Sequence, residues 1–75
     1  MEFPQYRKYS NNKGFFKVLS LEKFEEIQIM GAKSFHTVFE AKTFVDRNLI
    51  QDMLDCKEGR WLTIESREYD QLSLS

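Results

Sequence analysis

Cys56 and His36 are the only cysteine and the only histidine in the chain. Together they are the minimum set for thiol catalysis, which needs a thiolate of lowered pKa and a base within reach. Their settings argue against it. Cys56 falls near the C-terminus of a predicted helix, where the helix dipole disfavours a negative charge, and reads as a small packed residue. His36 falls on the polar face of a predicted strand and reads as a solvated side chain. Twenty residues apart and without companions, the two make no zinc ligand set.

Other chemistries are weaker still. Asp52 and Asp55 stand one helical turn apart, but acid–base work needs two carboxylates held in different environments around a pocket. They read as a solvated helix face. Asp46-Arg47-Asn48 opens like a calcium loop, yet Leu49, Ile50 and Gln51 supply neither the turn glycine nor further oxygen ligands. Gly14, Gly31 and Gly59 are the only glycines. Each reads as punctuation, which leaves no glycine-rich loop to cradle a phosphate. No catalytic residue, cofactor or metal site is assigned, and the chain reads as a non-enzyme.

One constellation stands out. Tyr6, Arg7, Lys8, Tyr9, Lys13, Phe15 and Lys17 interleave rings with cations, as single-stranded nucleic-acid binders do. Tyr6, Arg7, Lys8, Tyr9, Lys13 and Lys17 are the candidate binding surface. No RNP-type aromatic signature, GXXG loop or helix-turn-helix pattern accompanies them, and some of these rings must be core.

The elements that hold these residues follow from periodicity. Ser34 to Val45 alternates: Phe35, Thr37, Phe39, Ala41, Thr43 and Val45 point one way, and His36, Val38, Glu40, Lys42 and Phe44 the other. That pattern predicts a long half-buried strand, with Phe39 in the core and Glu40 in solvent. Gln5–Ser10 and Phe15–Leu19 flank the turn chemistry of Asn11-Asn12-Lys13-Gly14 and predict a hairpin. Leu21, Phe24, Ile27 and Met30 recur every three residues behind an N-cap candidate, Ser20. They predict a helix stopped by Gly31. Asp46 is the N-cap candidate of a second helix with Leu49, Ile50, Met53 and Leu54 on one face, stopped by Gly59. Arg60–Glu65 reads as a last strand. Ser66 opens a final helix carrying Tyr69 and Leu72, and Leu74 with its flanking serines is expected to fray.

The order is thus β-β-α-β-α-β-α in one α+β domain spanning 1–75. The polar face of Ser34–Val45 argues against helices on both sides of the sheet. A two-layer sandwich is expected, with a four-stranded sheet and the helices on one face.

Length and charge set outer bounds. At 75 residues the chain buries a modest core, which seven Phe, three Tyr and one Trp make dense. Residues 1–20 carry four basic residues against Glu2, and the remainder seven basic against eleven acidic. A basic arm on an acidic body points to an anionic partner or to packing of arm on body. The lone cysteine argues for a reducing compartment. The start has no basic region followed by an apolar run, so no signal peptide is expected. No apolar stretch is long enough to span a bilayer. A soluble, cytoplasmic protein without membrane partners is expected.

The strings Tyr6-Arg7-Lys8, Phe15-Phe16-Lys17-Val18 and Asp46-Arg47-Asn48-Leu49-Ile50-Gln51-Asp52-Met53-Leu54, with a late Trp61, resemble small uncharacterised proteins of Bacteroides-type gut and oral bacteria. The resemblance covers most of the chain and implies no activity and no site residue. The function expected is a protein-interaction module, with another protein or a second copy as partner through an exposed sheet edge near the N-terminal hairpin. Weak nucleic-acid binding by that hairpin is the alternative.

Overall fold

A computed structural model describes residues 2–73. The N-terminal hairpin forms where expected, as β1 (Gln5–Tyr9) and β2 (Gly14–Ser20). Its turn is built from local hydrogen bonds. Asn11 Oδ1 accepts from the Lys13 N–H at 2.9 Å, and Asn12 takes a left-handed backbone, φ 64°, which asparagine tolerates. Gly14 is needed for space. A Cβ there would lie 2.5 Å from Tyr9 Cδ2.

The next segment departs from the sequence-based expectation. Lys23–Met30 is a strand, β3, and not a helix. It pairs with β2 on one side and with β4 (Lys33–Glu40) on the other. Phe24 and Ile27 are three residues apart, so on a strand they point to opposite faces. Both are buried, each in a different hydrophobic cluster. A strand covered on both faces loses its alternation, and a three-residue spacing then imitates a helical stripe. Leu21 and Met30, the ends of that supposed stripe, are exposed. The punctuation is equally ambiguous. Ser20 Oγ accepts from the Glu22 N–H at 3.1 Å, as an N-cap would, but within a turn. Gly31, at φ +63°, serves a two-residue hairpin turn.

The long strand is also shorter than expected. β4 ends at Glu40, and α1 spans Phe44–Asp55. Thr43, not Asp46, is the N-cap. Thr43 Oγ1 accepts from the Asp46 N–H at 3.2 Å, and Asp46 Oδ2 accepts from the Thr43 and Lys42 N–H groups. This capping box starts the helix three residues earlier. The backbone N–H bonds hold the Asp46 carboxyl below its ordinary range. At the far end Cys56, not Gly59, stops the helix. It adopts φ 52° and ψ 47°, and its N–H bonds to Asp52 O and Met53 O. A short 3-10 turn over Lys57–Gly59 leads to β5, only Trp61–Thr63, and then to α2, Ser66–Ser73. Leu74 lies outside the described residues.

The fold class is α+β, as expected, but the sheet has five strands in the order β4-β3-β2-β1-β5, all antiparallel. The helices lie on opposite faces, not on one. On the first face Phe16, Val18, Phe24 and Trp61 pack against Ile50, Met53 and Leu54 of α1. On the second, Phe15 and Ile27 pack against Tyr69 of α2. The adjacent pair Phe15-Phe16 thus feeds both cores. The polar pattern of β4 misleads because β4 is an edge strand. All eight of its residues are exposed, so its pattern describes the edge and not the sheet. Phe39 is correspondingly 42% exposed instead of core, although its ring stacks on Phe24 at 5.1 Å.

Candidate interaction edge and adjoining acidic cleft

The predicted binding surface does not assemble. Arg7 and Tyr9 sit on the α1 face of β1, and Tyr6 and Lys8 alternate to the α2 face. Arg7 is buried. Its Nε donates to Met53 O at 3.1 Å and Nη2 to Leu54 O at 3.2 Å, while Nη1 donates to Tyr6 O at 2.8 Å. Tyr9 packs edge-on to Phe16 at 5.0 Å and stacks on Trp61 at 5.8 Å. Lys8 is paired with Glu68 of α2 at 3.3 Å, and Lys17 lies over the Tyr6 ring at 6.0 Å. Lys13 stays in the hairpin turn beside Asn11. The basic arm therefore packs on its own body.

The hairpin is not an edge either. β1 is flanked by β2 and β5. The free edges are β5, blunted by its three-residue length, and β4, eight residues long. Ala41 donates its N–H to the Glu22 carbonyl at 2.6 Å. In an antiparallel ladder such inward positions alternate with positions whose N–H and C=O point away. Ser34, His36, Val38 and Glu40 therefore hold theirs towards the open side. Formal charges stand only at the strand's two ends, Lys33 and Glu40, while Phe35, Val38 and Phe39 lie exposed between them. Edge strands that resist pairing carry charges or proline within the strand. β4 has neither, apart from His36, whose Nε2 is 3.0 Å from Glu25 Oε1.

At the C-terminal end of β4, on the α1 face, a cleft of about 260 Å³ opens between sheet and helix. The rings of Tyr9, Phe16, Phe24 and Phe39 line it, with Ala41, Leu49 and Met53. Glu26, Glu40 and Asp46 also line it, and no lysine or arginine does; the Glu40 side chain, alternating with Phe39 and Ala41, points to the other face of the sheet. Among the described residues, no group of three or more His, Cys, Asp or Glu side chains is placed to hold a metal ion. Glu26 lies directly across from Phe16 in the β2–β3 register. No hydrogen bond or ion pair among the described residues engages its carboxylate. Burial raises the Glu26 carboxyl above its ordinary value. Burial first, then the charge of Glu26, raises the Tyr9 phenol, against an opposing effect of Arg60.

A raised carboxyl pKa has a definite linkage sign. The folded state holds the proton more tightly than the unfolded chain. The stability contributed is complete below the unfolded value and is lost as pH rises through the folded one. Glu26→Gln is therefore expected to raise the urea midpoint at pH 7, with the gain shrinking as pH falls through the raised folded value and gone below the unfolded value of about 4. A lower midpoint at pH 7 would mean that the carboxylate has a stabilising partner.

Cys56 and His36 are held apart. Cys56 Sγ lies 3.7 Å from Thr63 Oγ1 of β5, and His36 is on β4, the opposite edge of the sheet. Four strand spacings, roughly 19 Å, separate those edges. On the second face the Tyr69 hydroxyl is buried, and burial together with Glu25 drives its pKa well above the ordinary range.

The edge at β4 and the Glu26 cleft both escape a reading of the sequence. Three exposed apolar residues between two charges is the available signal for the edge. The cleft has none, because its lining comes from β1, β2, β3, β4 and α1. Among the described residues no helix is long and apolar enough to cross a membrane. No family model, curated protein or solved structure matches the chain.

Proposed function

We propose that this chain is a non-enzymatic protein-interaction module that self-associates through the β4 edge. The observation that carries the reading is an eight-residue edge strand, exposed throughout, with outward backbone groups at Ser34, His36, Val38 and Glu40 and with Phe35, Val38 and Phe39 in solvent. Adding a strand satisfies those backbone groups and covers the apolar side chains.

A second copy is suited by its own register. In a two-fold antiparallel seam, opposed residues must share a sheet face, so their numbers sum to an even value. With the axis at Thr37, Phe35 of each copy faces Phe39 of the other. His36 faces Val38, and Ser34 faces Glu40. The Phe35–Phe39 contacts fall at positions that are not hydrogen-bonded across the seam, where side chains approach most closely. They extend the existing Phe39–Phe24 stack. An axis at His36 would instead oppose two imidazoles and set Phe39 against Lys33.

Light scattering coupled to size exclusion across concentration tests this. The wild-type chain is expected to run as a dimer, and Val38→Pro as a monomer. Proline removes an outward N–H and leaves the β3 ladder intact, so the variant's near-UV circular dichroism should match wild type. A wild-type chain monomeric at high concentration, or a dimeric Val38→Pro, would reject the reading.

A further inference from the structure

We infer that the cleft between β4 and α1 binds a small primary alkylammonium ion, with the Glu26 carboxylate as its counter-ion. Glu26 is on the α1 face of β3, directly across from Phe16 in the β2–β3 register and on the same face as Phe24. Both of those rings are buried, so the carboxylate rises from an aromatic floor. On its other side Thr37 is opposite and Phe39 is diagonal to it in the β3–β4 register, within reach of a side-chain-sized group. Phe39 is 42% exposed and Leu49 is 40% exposed, and they form the β4 and α1 walls. The half-buried Tyr9 lines the cleft as well, with its phenol close enough to feel the Glu26 charge. All of these residues belong to one copy, so the site does not depend on the dimer proposed above.

The class of ligand follows from this set. An anion is repelled by Glu26. A metal ion lacks ligands, because the Asp46 carboxylate is held by the Lys42 and Thr43 amides and Glu40 points to the other face. A neutral apolar ligand would cover Glu26 without pairing it, which is unfavourable. An alkylammonium donates hydrogen bonds to the carboxylate and lays its methylenes on the apolar walls. Its charge is also drawn to ring faces. No lysine or arginine lines the cleft. Lys13 lines the neighbouring hollow, which Glu26 also borders, but it takes part in no ion pair among the described residues. The cleft of about 260 Å³ falls below the roughly 300 Å³ at which pockets for drug-sized ligands begin. It suits a head group and a few carbons. The fold gains nothing from an unpaired, partly desolvated carboxylate at neutral pH, and local misfits of that kind mark binding sites.

The test is a titration of the isotope-labelled chain with n-butylammonium chloride at pH 7, followed by its amide resonances. Saturable shifts centred on Glu26, Phe39 and Leu49 are expected. The neutral analogue n-pentanol should bind about tenfold more weakly or worse, and so should n-butylammonium to Glu26→Gln, since each loses a charge-assisted hydrogen bond. Glu26→Gln is expected to be the more stable chain, so lost binding is not lost folding. Saturating n-butylammonium should also raise the urea midpoint of wild type and leave that of Glu26→Gln unchanged. A lysine side chain carries the same head group, and Nα-acetyl-lysine methylamide separates the two sources. Equal affinity for the two probes is expected. Binding of the methylamide about tenfold tighter would overturn the free amine in favour of a lysine on a partner chain. Val38→Pro should bind like wild type whether or not wild type dimerises. Binding by wild type that is lost in Val38→Pro would overturn a site contained in one copy. Shifts that do not saturate, n-pentanol binding as well as the amine, or undiminished binding to Glu26→Gln would overturn the site and leave the edge dimer untouched.

Discussion

Replacing Arg7 with methionine should cost about 3–5 kcal/mol of folding stability, a large part of what so small a domain possesses. Arg7 is a buried cation with no carboxylate partner among its hydrogen bonds. What neutralises it is the end of α1. Its Nε and Nη2 donate to Met53 O and Leu54 O, carbonyls of the last helical turn, of which Met53 O otherwise accepts only from the Cys56 N–H of the cap. That end of the dipole carries partial negative charge. The guanidinium thus docks the helix onto β1 and satisfies its carbonyls in one contact. Methionine fills much of the volume but strands the Leu54 carbonyl away from water and leaves Met53 O with the Cys56 N–H alone. Arg7→Lys should recover only part of the loss, because an ammonium lacks the planar fork that reaches both oxygens. Urea denaturation of the three chains decides the matter. A methionine variant within about 1 kcal/mol of wild type would show that the helix end does not depend on this residue.

Phe16→Ala should be comparably severe, at about 3–5 kcal/mol. Phe16 is 2% exposed and central to the first core. It lies edge-on to Tyr9 at 5.0 Å and tilted towards Phe24 at 6.1 Å, beneath Ile50 and Met53 of α1. Truncation opens a cavity at the point where β1, β2, β3 and α1 meet. Phe39→Ala provides the contrast. Much of that ring is already in water, so its loss should cost about 1 kcal/mol, chiefly the stack on Phe24. Its larger effect should be on the proposed dimer. Denaturation of both variants under dilute conditions separates the two roles. Equal losses would place Phe39 in the core after all.

Expectations hold where the determining interactions are local. The hairpin rests on Asn11 Oδ1, the left-handed Asn12 and the space at Gly14, all within a few residues of the turn they make. The helix at Leu49–Leu54 and the final helix with Tyr69 follow from apolar spacing and from caps that act over three or four residues. Even at the start of α1 the choice lies between two members of a single capping box, Thr43 and Asp46.

What tertiary structure decided was which faces would be covered. Leu21, Phe24, Ile27 and Met30 fit a helix and a two-sided strand equally well. Only the arrival of α1 on one face and α2 on the other, from residues 44–73 of the chain, selected the strand. The alternation of Ser34–Phe39 does mark a strand, but its burial depends on whether another strand pairs beyond it, and none does. Arg7 has the sequence context of a surface cation until the end of α1, some forty-six residues later, is set against it. The open edge and the acidic cleft belong to the same class. They are juxtapositions of segments distant in sequence, made by strand pairing and helix docking, and so they exist only once the chain has closed on itself.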